Sequence, residues 1–389
     1  MSAYLSELGL VCSLGEGQAA VREGLFGAAP SGVQTTDFFS AERPLALGQV
    51  SAPVPSLLQA HGDFRSRNNG LLTLALAQIR PAVEAAIARF GPARVGIVLG
   101  TSTSGIGETE LAIKAMVASG TLPSSYHYPL QELGSPARYL ASVLGTCGPT
   151  NVISTACSSS AKALASAARW LEAGLVDAVI AGGSDSLCRF TIAGFSALES
   201  VSAERCNPMS RNRKGINIGE AATLFLLTRE SGPVRLAGWG ETSDAHHLSA
   251  PEPGGKGAAE AMRLALRRAQ LEPKDIGYLN LHGTATPQND AMESRAVDAV
   301  LGLQVPSSST KPLTGHTLGA AGALEAALCW LTLTDEAGRL PPHWFDGERD
   351  PGLPTLHLVT PGQRGPVRAA LSNSFAFGGS NASLALVRS

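Results

Sequence analysis

The chain has little charge and lacks the features that direct a protein to a membrane or to nucleic acid. Asp, Glu, Lys and Arg make up 16% of its 389 residues, and the formal net charge at pH 7 is −2. A nearly neutral chain has no overall attraction for nucleic acid or an anionic membrane. The N-terminus has no basic segment followed by an apolar one, which argues against a signal peptide. No apolar run reaches the ~20 residues of a membrane span.

The cysteines lack the spacing of a disulfide framework or of a zinc site. No two of them form a CxxC pair, and they are scattered along the chain as Cys12, Cys147, Cys157, Cys188, Cys206 and Cys329. This scatter predicts free thiols and no structural metal. It also predicts a cytoplasmic location, because thiols stay reduced in the cytoplasm.

Apolar residues and glycine are abundant, at 44% and 43 residues respectively. We expect a large core and an oligomer interface. Short apolar strands alternate with helices, which predicts an α/β protein with a largely parallel sheet. The length suits two domains, and we place their boundary near 230–233, giving domains 1–232 and 233–389. No sequence repeat has a fixed period, although a reactive residue ends a strand in each half.

The most informative segment runs from Asn151 to Ser160 (NVISTACSSS). Val152 and Ile153 suit a buried strand, and the Ala-rich stretch that follows predicts a helix. Cys157 is therefore expected at a strand-to-helix turn, where unpaired backbone N–H groups and the helix dipole favour a thiolate. The thiolate is the nucleophilic form. The alternative is a buried structural cysteine, which the small polar residues around Cys157 disfavour.

Two histidines and a lysine stand in comparable settings in the second half. His282 follows a strand and precedes Gly283, and His316 lies just before an apolar helix. Lys311 precedes His316 by five residues, and Glu325 on the following helix is its candidate partner. The alternatives are core histidines and a surface lysine.

Four motifs in register give the chain a resemblance to a known family. They are Thr155-Ala-Cys157-Ser-Ser, His282-Gly-Thr-Ala-Thr286 with Asn289-Asp290, Thr310-Lys311 with Gly315-His316-Thr-Leu-Gly-Ala-Ala-Gly322, and Asn373-Ser-Phe375-Ala-Phe377-Gly-Gly-Ser-Asn381. Together they resemble the β-ketoacyl-acyl-carrier-protein synthases of the decarboxylating Cys-His-His type, over essentially the whole chain. The resemblance implies a thiolase-like fold, in which two similar halves form a five-layered αβαβα core.

The resemblance also implies a reaction and its residues. Cys157 would accept an acyl group from a carrier protein, with its own N–H and that of Phe377 as the oxyanion hole. His282 and His316 would bind the malonyl thioester during decarboxylation, and Lys311 with Glu325 would orient the site. Contacts to the phosphopantetheine arm and acyl chain are implied for Thr284, Thr286, Phe375, Phe377, Gly378 and Gly379. No metal or organic cofactor is implied, because loss of carbon dioxide drives the condensation.

The expected partners are an acyl-carrier protein and a second synthase-like subunit, identical or homologous. Carrier proteins of this kind are acidic, so a few local cations suffice for docking. The candidates are Arg65, Arg67, Arg205, Arg211, Arg213 and Lys214. The loop 207–215 departs from the family's usual Pro-Phe-Asp pattern. That departure favours a secondary-metabolite branch, such as aryl polyene synthesis, over housekeeping fatty acid elongation.

Four other classes of protein fit the sequence less well. A thiolase would have a second cysteine in the C-terminal glycine-rich loop, and a chalcone-synthase relative would have Asn in place of His316. The local motif of a cysteine protease is missing around Cys157. A non-catalytic chain-length-factor subunit tends to lack the nucleophile, which this chain retains.

Overall fold

The computed structural model describes residues 3–39 and 43–389. Its strands are β1 (Ala3–Cys12), β2 (Gly15–Glu16), β3 (Gln34–Thr36), β4 (Leu45–Leu47), β5 (Val95–Gly100), β6 (Thr150–Ile153), β7 (Ala178–Asp185), β8 (Ala221–Thr228), β9 (Val234–Ser243), β10 (Tyr278–Asn280), β11 (Ser307–Ser308), β12 (Ala369–Ala376) and β13 (Ser380–Arg388).

The α-helices separate these strands along the chain. They are α1 (Gly17–Leu25), α2 (Arg67–Phe90), α3 (Ile106–Ser119), α4 (Ser135–Leu144), α5 (Ser159–Glu172), α6 (Arg189–Ala197), α7 (Lys256–Ala269), α8 (Pro287–Leu301), α9 (Lys311–Thr314) and α10 (Ala321–Leu333). Short 3₁₀ helices include Leu318–Ala320, directly before α10, and Phe377–Gly379, between β12 and β13.

The sheet shows the same strand order twice. From its centre outward the first half runs β1-β8-β7-β5-β6 and the second runs β9-β13-β12-β10-β11, and the halves join where β1 pairs with β9. The expectation of two similar halves in a thiolase-like α/β fold is confirmed. The loop between β8 and β9 contains the predicted division at 232/233, which remains a prediction.

The sheet is mixed and not largely parallel, which corrects one expectation. In each half the three outer strands pair parallel and the two inner strands pair antiparallel. One physical reason is visible between β12 and β13. Only the short turn Phe377–Gly379 connects them, and so short a connection joins antiparallel neighbours and not parallel ones.

The helices form three layers around the two halves of the sheet. Helices α5 and α10 pack against each other and against strands of both halves, so they form the middle layer. Helices α2 and α4 cover the first half on its outer face, and α7 and α8 lie on the outer side of the second. Every residue of α10 is buried, as a helix enclosed on all sides requires. The result is the αβαβα arrangement.

Strand β6 lies at the edge of the sheet and is not the buried strand expected from its sequence. Thr150 and Asn151 are exposed, and Val152 and Ile153 are half-buried. Only β5 pairs with β6 within the described residues, so its other edge keeps unpaired backbone groups. Natural proteins usually cover such an edge.

One helix, α2, is long and apolar enough to cross a membrane by length and composition alone. It lies against β1, β7 and β8, and its buried residues include Leu71, Leu72 and Ile79. We therefore interpret α2 as a core helix. Pro81 lies inside it.

Candidate active site

Cys157 lies in the turn between β6 and α5, as its sequence context predicts. The preceding residue, Ala156, has a φ of 52°, a conformation that costs free energy for a residue with a side chain. The Ser159 hydroxyl stabilises this turn, because it accepts from the Thr155 N–H at 2.8 Å and donates to the Ala156 carbonyl at 2.5 Å. The turn holds the Cys157 side chain at the wall of a cavity, with 6% of the residue exposed.

The resting thiol is protonated, contrary to the expectation of an activated thiolate. Burial raises the pKa of Cys157 to about 11, and the Lys311 ammonium and the N–H groups of Phe377 and Cys157 itself offset part of that rise. Desolvation of the sulfur therefore outweighs the Lys311 charge and the two N–H groups. Cys157 needs a base that removes its proton when substrate arrives.

His316 is placed to be that base. Its Nε2 atom lies 2.9 Å from the Cys157 sulfur. Burial and the nearby Lys311 ammonium hold the pKa of His316 well below its usual range, so its imidazole is neutral at pH 7. The segment around His316 is held through its backbone, which bonds to the Asn217 carbonyl and the Gly219 N–H.

His282 completes the cluster from the end of β10. Its ring centroid lies 5.3 Å from that of His316, in an edge-to-face arrangement. Burial is the largest reason why the pKa of His282 lies well below its usual range. The Lys311 ammonium lies 3.4 Å from Nδ1 of His282. An ammonium can only donate, so Nδ1 is the acceptor and Nε2 carries the proton.

Lys311 and Glu325 form a buried ion pair behind the histidines. The ammonium lies 2.5 Å from Oε1 of Glu325 and also donates to the backbone carbonyl of His282. Both side chains are at most 3% exposed. Burial raises the pKa of Glu325, and the Lys311 charge counteracts that rise. The pair is stable there because each charge neutralises the other out of water.

The cavity at Cys157 has a volume of ≈ 320 Å³ and opens to solvent. The structure brings most of the predicted site residues together around this cavity. Its lining includes Cys157, His282, His316, Thr284, Thr286, Phe375 and Phe377. The Thr284 and Thr286 hydroxyls lie 3.0 Å apart. The ring of Phe377 contacts that of Phe195. Gly378 and Gly379 do not line this cavity, but form the turn after Phe377 with φ values of 79° and 71°.

The cationic candidates for docking fall into two groups. Arg67 pairs with buried Glu220, Arg213 pairs with Asp350, and Arg205 donates to backbone carbonyls. These three guanidinium groups hold the chain's own structure together, and the structure gives no support to their docking role. Arg65, Arg211 and Lys214 are exposed, and Lys214 lies at the rim of the cavity. Arg65 also donates to the Ala60 carbonyl, and Arg211 pairs with Glu348 at 2.6 Å.

Three polar side chains near the site were not identified from the sequence. Of these, Glu293 and Asp185 are buried and Lys162 is half-buried. Glu293 accepts the N–H groups of His282 and Gly283, both at 2.7 Å. Asp185 accepts from Thr101, Thr103 and the Gly319 N–H. Lys162, one turn into α5, donates to Ser380. Asp185 is the last residue of β7, which pairs parallel with β5. Ligand sites of α/β proteins lie at the carboxyl ends of such strands, so this position could have indicated the site. No feature of the sequence around Glu293 or Lys162 indicates a role at the site.

The side chains of Cys157, His282 and His316 each offer one ligand atom, and these atoms lie within 4.8 Å of one another. Thiolate and imidazole are ligands that zinc prefers. The same three residues line the cavity.

The sequence matches two family models along most of its length. Residues 72–232 match the N-terminal domain of β-ketoacyl synthases, and residues 234–344 match the C-terminal domain. The 3-oxoacyl-[acyl-carrier-protein] synthase 2 of Staphylococcus aureus (strain COL) is 33% identical over 321 residues, which cover 75% of this chain and 74% of the relative. The synthase of the same name from Vibrio harveyi is 33% identical over 312 residues, 75% of each chain.

Solved structures extend this similarity to the whole chain. A chain in the complex of the ketosynthase ApeO with its chain length factor ApeC from Xenorhabdus doucetiae is 45% identical, with a TM-score of 0.94 over 100% of this chain and 98% of that one. A chain of the ishigamide ketosynthase/chain length factor is 26% identical, with a TM-score of 0.88 over 100% of this chain and 99% of that one.

Proposed function

We propose a residue-level mechanism for this chain, which belongs to the β-ketoacyl synthase family. The chain is a β-ketoacyl-acyl-carrier-protein synthase, an acyltransferase that condenses a malonyl thioester with an acyl group. The observation that carries the mechanism is the 2.9 Å contact between His316 Nε2 and Cys157 Sγ, with His282 facing the same cavity.

Acyl transfer to Cys157 is the first step. His316 accepts the thiol proton while the sulfur attacks the carbonyl carbon of the acyl thioester. The N–H groups of Cys157 and Phe377 stabilise the oxyanion; both already point at the sulfur in the resting site. The tetrahedral adduct expels the carrier-protein thiolate, which takes the proton from His316. The product is an acyl thioester on Cys157.

Decarboxylation and condensation form the second step. The carbonyl oxygen of the malonyl thioester accepts hydrogen bonds from the Nε2–H groups of His282 and His316, so that both stabilise the enolate formed as carbon dioxide leaves. His316 acts as base in the tautomer with its proton on Nδ1 and as donor in the tautomer with its proton on Nε2; within the described residues its Nδ1 has no hydrogen-bond partner, so neither tautomer is locked. The enolate carbon attacks the acyl carbonyl on Cys157. The Cys157 sulfur then leaves with its electron pair and takes a proton from water, which restores the thiol, and the β-ketoacyl chain stays on the carrier protein. Lys311 holds the Nδ1 atom of His282 and thereby its donor tautomer.

The polar rim of the cavity suits the arm that carries both substrates. Relatives are named for the acyl-carrier protein, and the proposed substrates are thioesters on the phosphopantetheine arm of such a carrier. We propose that the Thr284 and Thr286 hydroxyls bind this arm and that the phenyl rings of Phe375 and Phe377 flank the acyl chain. Arg65, Arg211 and Lys214 are the proposed docking cations. No metal or organic cofactor enters these steps. Cytoplasmic location remains a prediction.

The open edge of β6 is the proposed contact with a second synthase-like subunit. The two solved structures compared above are both ketosynthase and chain-length-factor assemblies, which favours a homologous partner over an identical one. This chain keeps Cys157, both histidines and Lys311, and this set supports the active role over that of the chain-length factor. The 45% identity to a chain of the ApeO complex favours the secondary-metabolite branch.

The test uses the tagged chain isolated from its native host, so that any partner subunit remains bound. The complex is incubated with a panel of acyl-carrier proteins and malonyl-carrier protein, and mass spectrometry follows the acyl group on Cys157 and the product. An acyl adduct on Cys157, carbon dioxide release and a β-ketoacyl product are expected. Condensation without any adduct on Cys157 contradicts the mechanism. An adduct found only on the partner assigns the chain-length-factor role to this chain.

A further inference from the structure

Lys162 lies one turn into α5, five residues after Cys157, and contacts the opposite side of the site. Its ammonium lies 2.6 Å from the Ser380 hydroxyl. Ser380 is the first residue of β13 and directly follows the Phe377–Gly379 turn. Lys162 therefore links α5, the helix that follows Cys157, to the residue directly after the turn that contains Phe377.

The contact continues as a chain of hydroxyl groups to the nucleophile turn. Ser380 Oγ lies 3.0 Å from Ser158 Oγ, and Ser158 donates to the Thr155 carbonyl at 2.8 Å. An ammonium has no acceptor, so Lys162 donates to Ser380. Either hydroxyl can donate in the contact between Ser380 and Ser158. The contacts run without a break from Lys162 to Thr155, two residues before Cys157.

The charge of Lys162 is placed where electrostatics do not favour it. The side chain is half-buried and lies in the first turn of α5, near the positive end of the helix dipole. Across residues 3–39 and 43–389 no carboxylate forms an ion pair with it, and its charged neighbour is Arg169. Burial, followed by that arginine, lowers the pKa of Lys162. Because its surroundings disfavour the Lys162 charge, a gain in folding stability does not explain a cation at this position.

The Phe377–Gly379 turn is open at Gly378 and packed at Gly379. A side-chain carbon added at Gly378 would meet no atom within 4 Å, whereas one at Gly379 would lie 2.8 Å from Asp244 Cβ. The Gly378 N–H donates to the Leu248 carbonyl at 2.7 Å, and the Gly379 carbonyl accepts from the Asp244 N–H at 2.8 Å. The Ser380 hydroxyl, directly after the turn, links it to Ser158 and Lys162.

We propose that Lys162 is a positioning residue for the oxyanion hole. Through Ser380 and Ser158 it fixes the distance between the Phe377 turn and the Cys157 turn, so that the Phe377 N–H stays directed at the carbonyl bound to Cys157. The positive charge also stabilises negative charge that develops there. The inference rests on the proposed roles of Cys157 and Phe377.

The experiment separates the two steps of the reaction in the intact complex. The rate of Cys157 acylation is measured by quenched mass spectrometry, and carbon dioxide release from malonyl-carrier protein is measured without an acyl donor. In Lys162→Met and in Ser380→Ala, acylation is expected to slow by about ten- to a hundredfold, since small displacements of catalytic groups have effects of this size. Carbon dioxide release depends on His282 and His316 and is expected to stay within about twofold.

Three further variants test whether the two residues act as a unit. The double variant Lys162→Met/Ser380→Ala is expected to be no slower than either single variant, because each removes the same link. Ser380→Thr keeps the hydroxyl and restores at least half of the acylation rate. Lys274→Met, at an exposed lysine in the 3₁₀ helix 273–275, is the matched control and leaves both rates unchanged.

The outcomes that contradict the inference are distinct from failure of the proposed function. Acylation of Lys162→Met at the wild-type rate overturns the positioning role, as does an equal loss of both steps. Additive effects in the double variant also overturn it. If Lys162→Met does not fold, Ser380→Ala gives the same decision. Absence of any acylation of Cys157 in the wild-type complex overturns the proposed function itself.

Discussion

The carboxylate of Glu293 accepts the backbone N–H of His282 at 2.7 Å, from helix α8 on the outer side of the sheet. The neighbouring Gly283 N–H bonds to the other carboxylate oxygen at the same distance. One buried side chain therefore fixes the peptide groups on both sides of the residue that donates its Nε2–H into the cavity. This relation has a measurable effect on stability.

Replacement of Glu293 should change how stability depends on pH. Burial raises the pKa of Glu293 from 4.5 to about 7. Between these values the folded state binds more protons than the unfolded state, so the free energy of unfolding falls as pH rises. The contribution is on the order of 3 kcal/mol. Glu293→Gln has no such titrating proton. We therefore expect its free energy of unfolding to fall less between pH 5 and pH 8 than that of the wild type, as measured by urea unfolding at fixed protein concentration.

Other buried groups titrate equally in both proteins and cancel in this comparison. The sign matters for the interpretation: wild type should lose more stability than Glu293→Gln as pH rises. An identical loss in the two proteins would show that Glu293 does not hold a proton near neutral pH.

Replacement of Cys157 by Ala should abolish acyl transfer and condensation, because no other described residue that lines the cavity carries a thiol. Carbon dioxide release from malonyl-carrier protein should persist, since it depends on the histidines. Mass spectrometry of the intact chain checks the first expectation, and carbonate trapping checks the second. Cys147→Ala, at an exposed thiol, is the control; full condensation by Cys157→Ala would refute the mechanism.

Replacement of either histidine by Ala should slow decarboxylation by about a hundredfold or more, the usual effect of removing one donor from a developing enolate or oxyanion. His316→Ala should in addition slow alkylation of Cys157 by iodoacetamide at pH 7, because the base at 2.9 Å is gone. His282→Ala should leave alkylation nearly unchanged. His61→Ala, at an exposed residue, serves as the control. Equal alkylation rates in the two histidine variants would contradict the assignment of the base.

The Lys311 and Glu325 pair should show strong coupling in a double-mutant cycle. Lys311→Met leaves a buried carboxylate without its partner and should cost about 3–5 kcal/mol of unfolding free energy. Lys311→Met/Glu325→Leu removes both charges and should be more stable than that single variant. Urea unfolding of the four proteins measures the coupling. A double variant that loses the sum of the two single losses would show that the charges do not interact.

Much of this arrangement follows from the sequence because it is local. A short apolar strand, a small polar turn and an Ala-rich stretch placed Cys157 between β6 and α5. A similar pattern placed His282 after β10, and His316 lies before α10 as its context predicts. The pairing of Lys311 with Glu325 was expected because both lie around the same motif.

The remainder depends on the tertiary structure. The pKa of Cys157 depends on its burial, which the tertiary structure sets. The local sequence indicates only the helix dipole, which would lower that pKa. The exposure of Val152 depends on β6 having one neighbour. The contacts of Arg205 with the 31–33 segment, and of Lys162 with Ser380, join residues that are 172 and more positions apart in the chain.

The protonated state of the resting Cys157 thiol affects how the protein survives in the cell. Peroxide oxidises thiolates and spares thiols, so the resting nucleophile is shielded from irreversible conversion to sulfinic or sulfonic acid. The same state selects among covalent inhibitors. An electrophile that reacts only with a preformed thiolate modifies Cys157 slowly. A compound that mimics a thioester binds as a substrate does, so His316 can accept the thiol proton while the sulfur attacks the carbonyl of the compound.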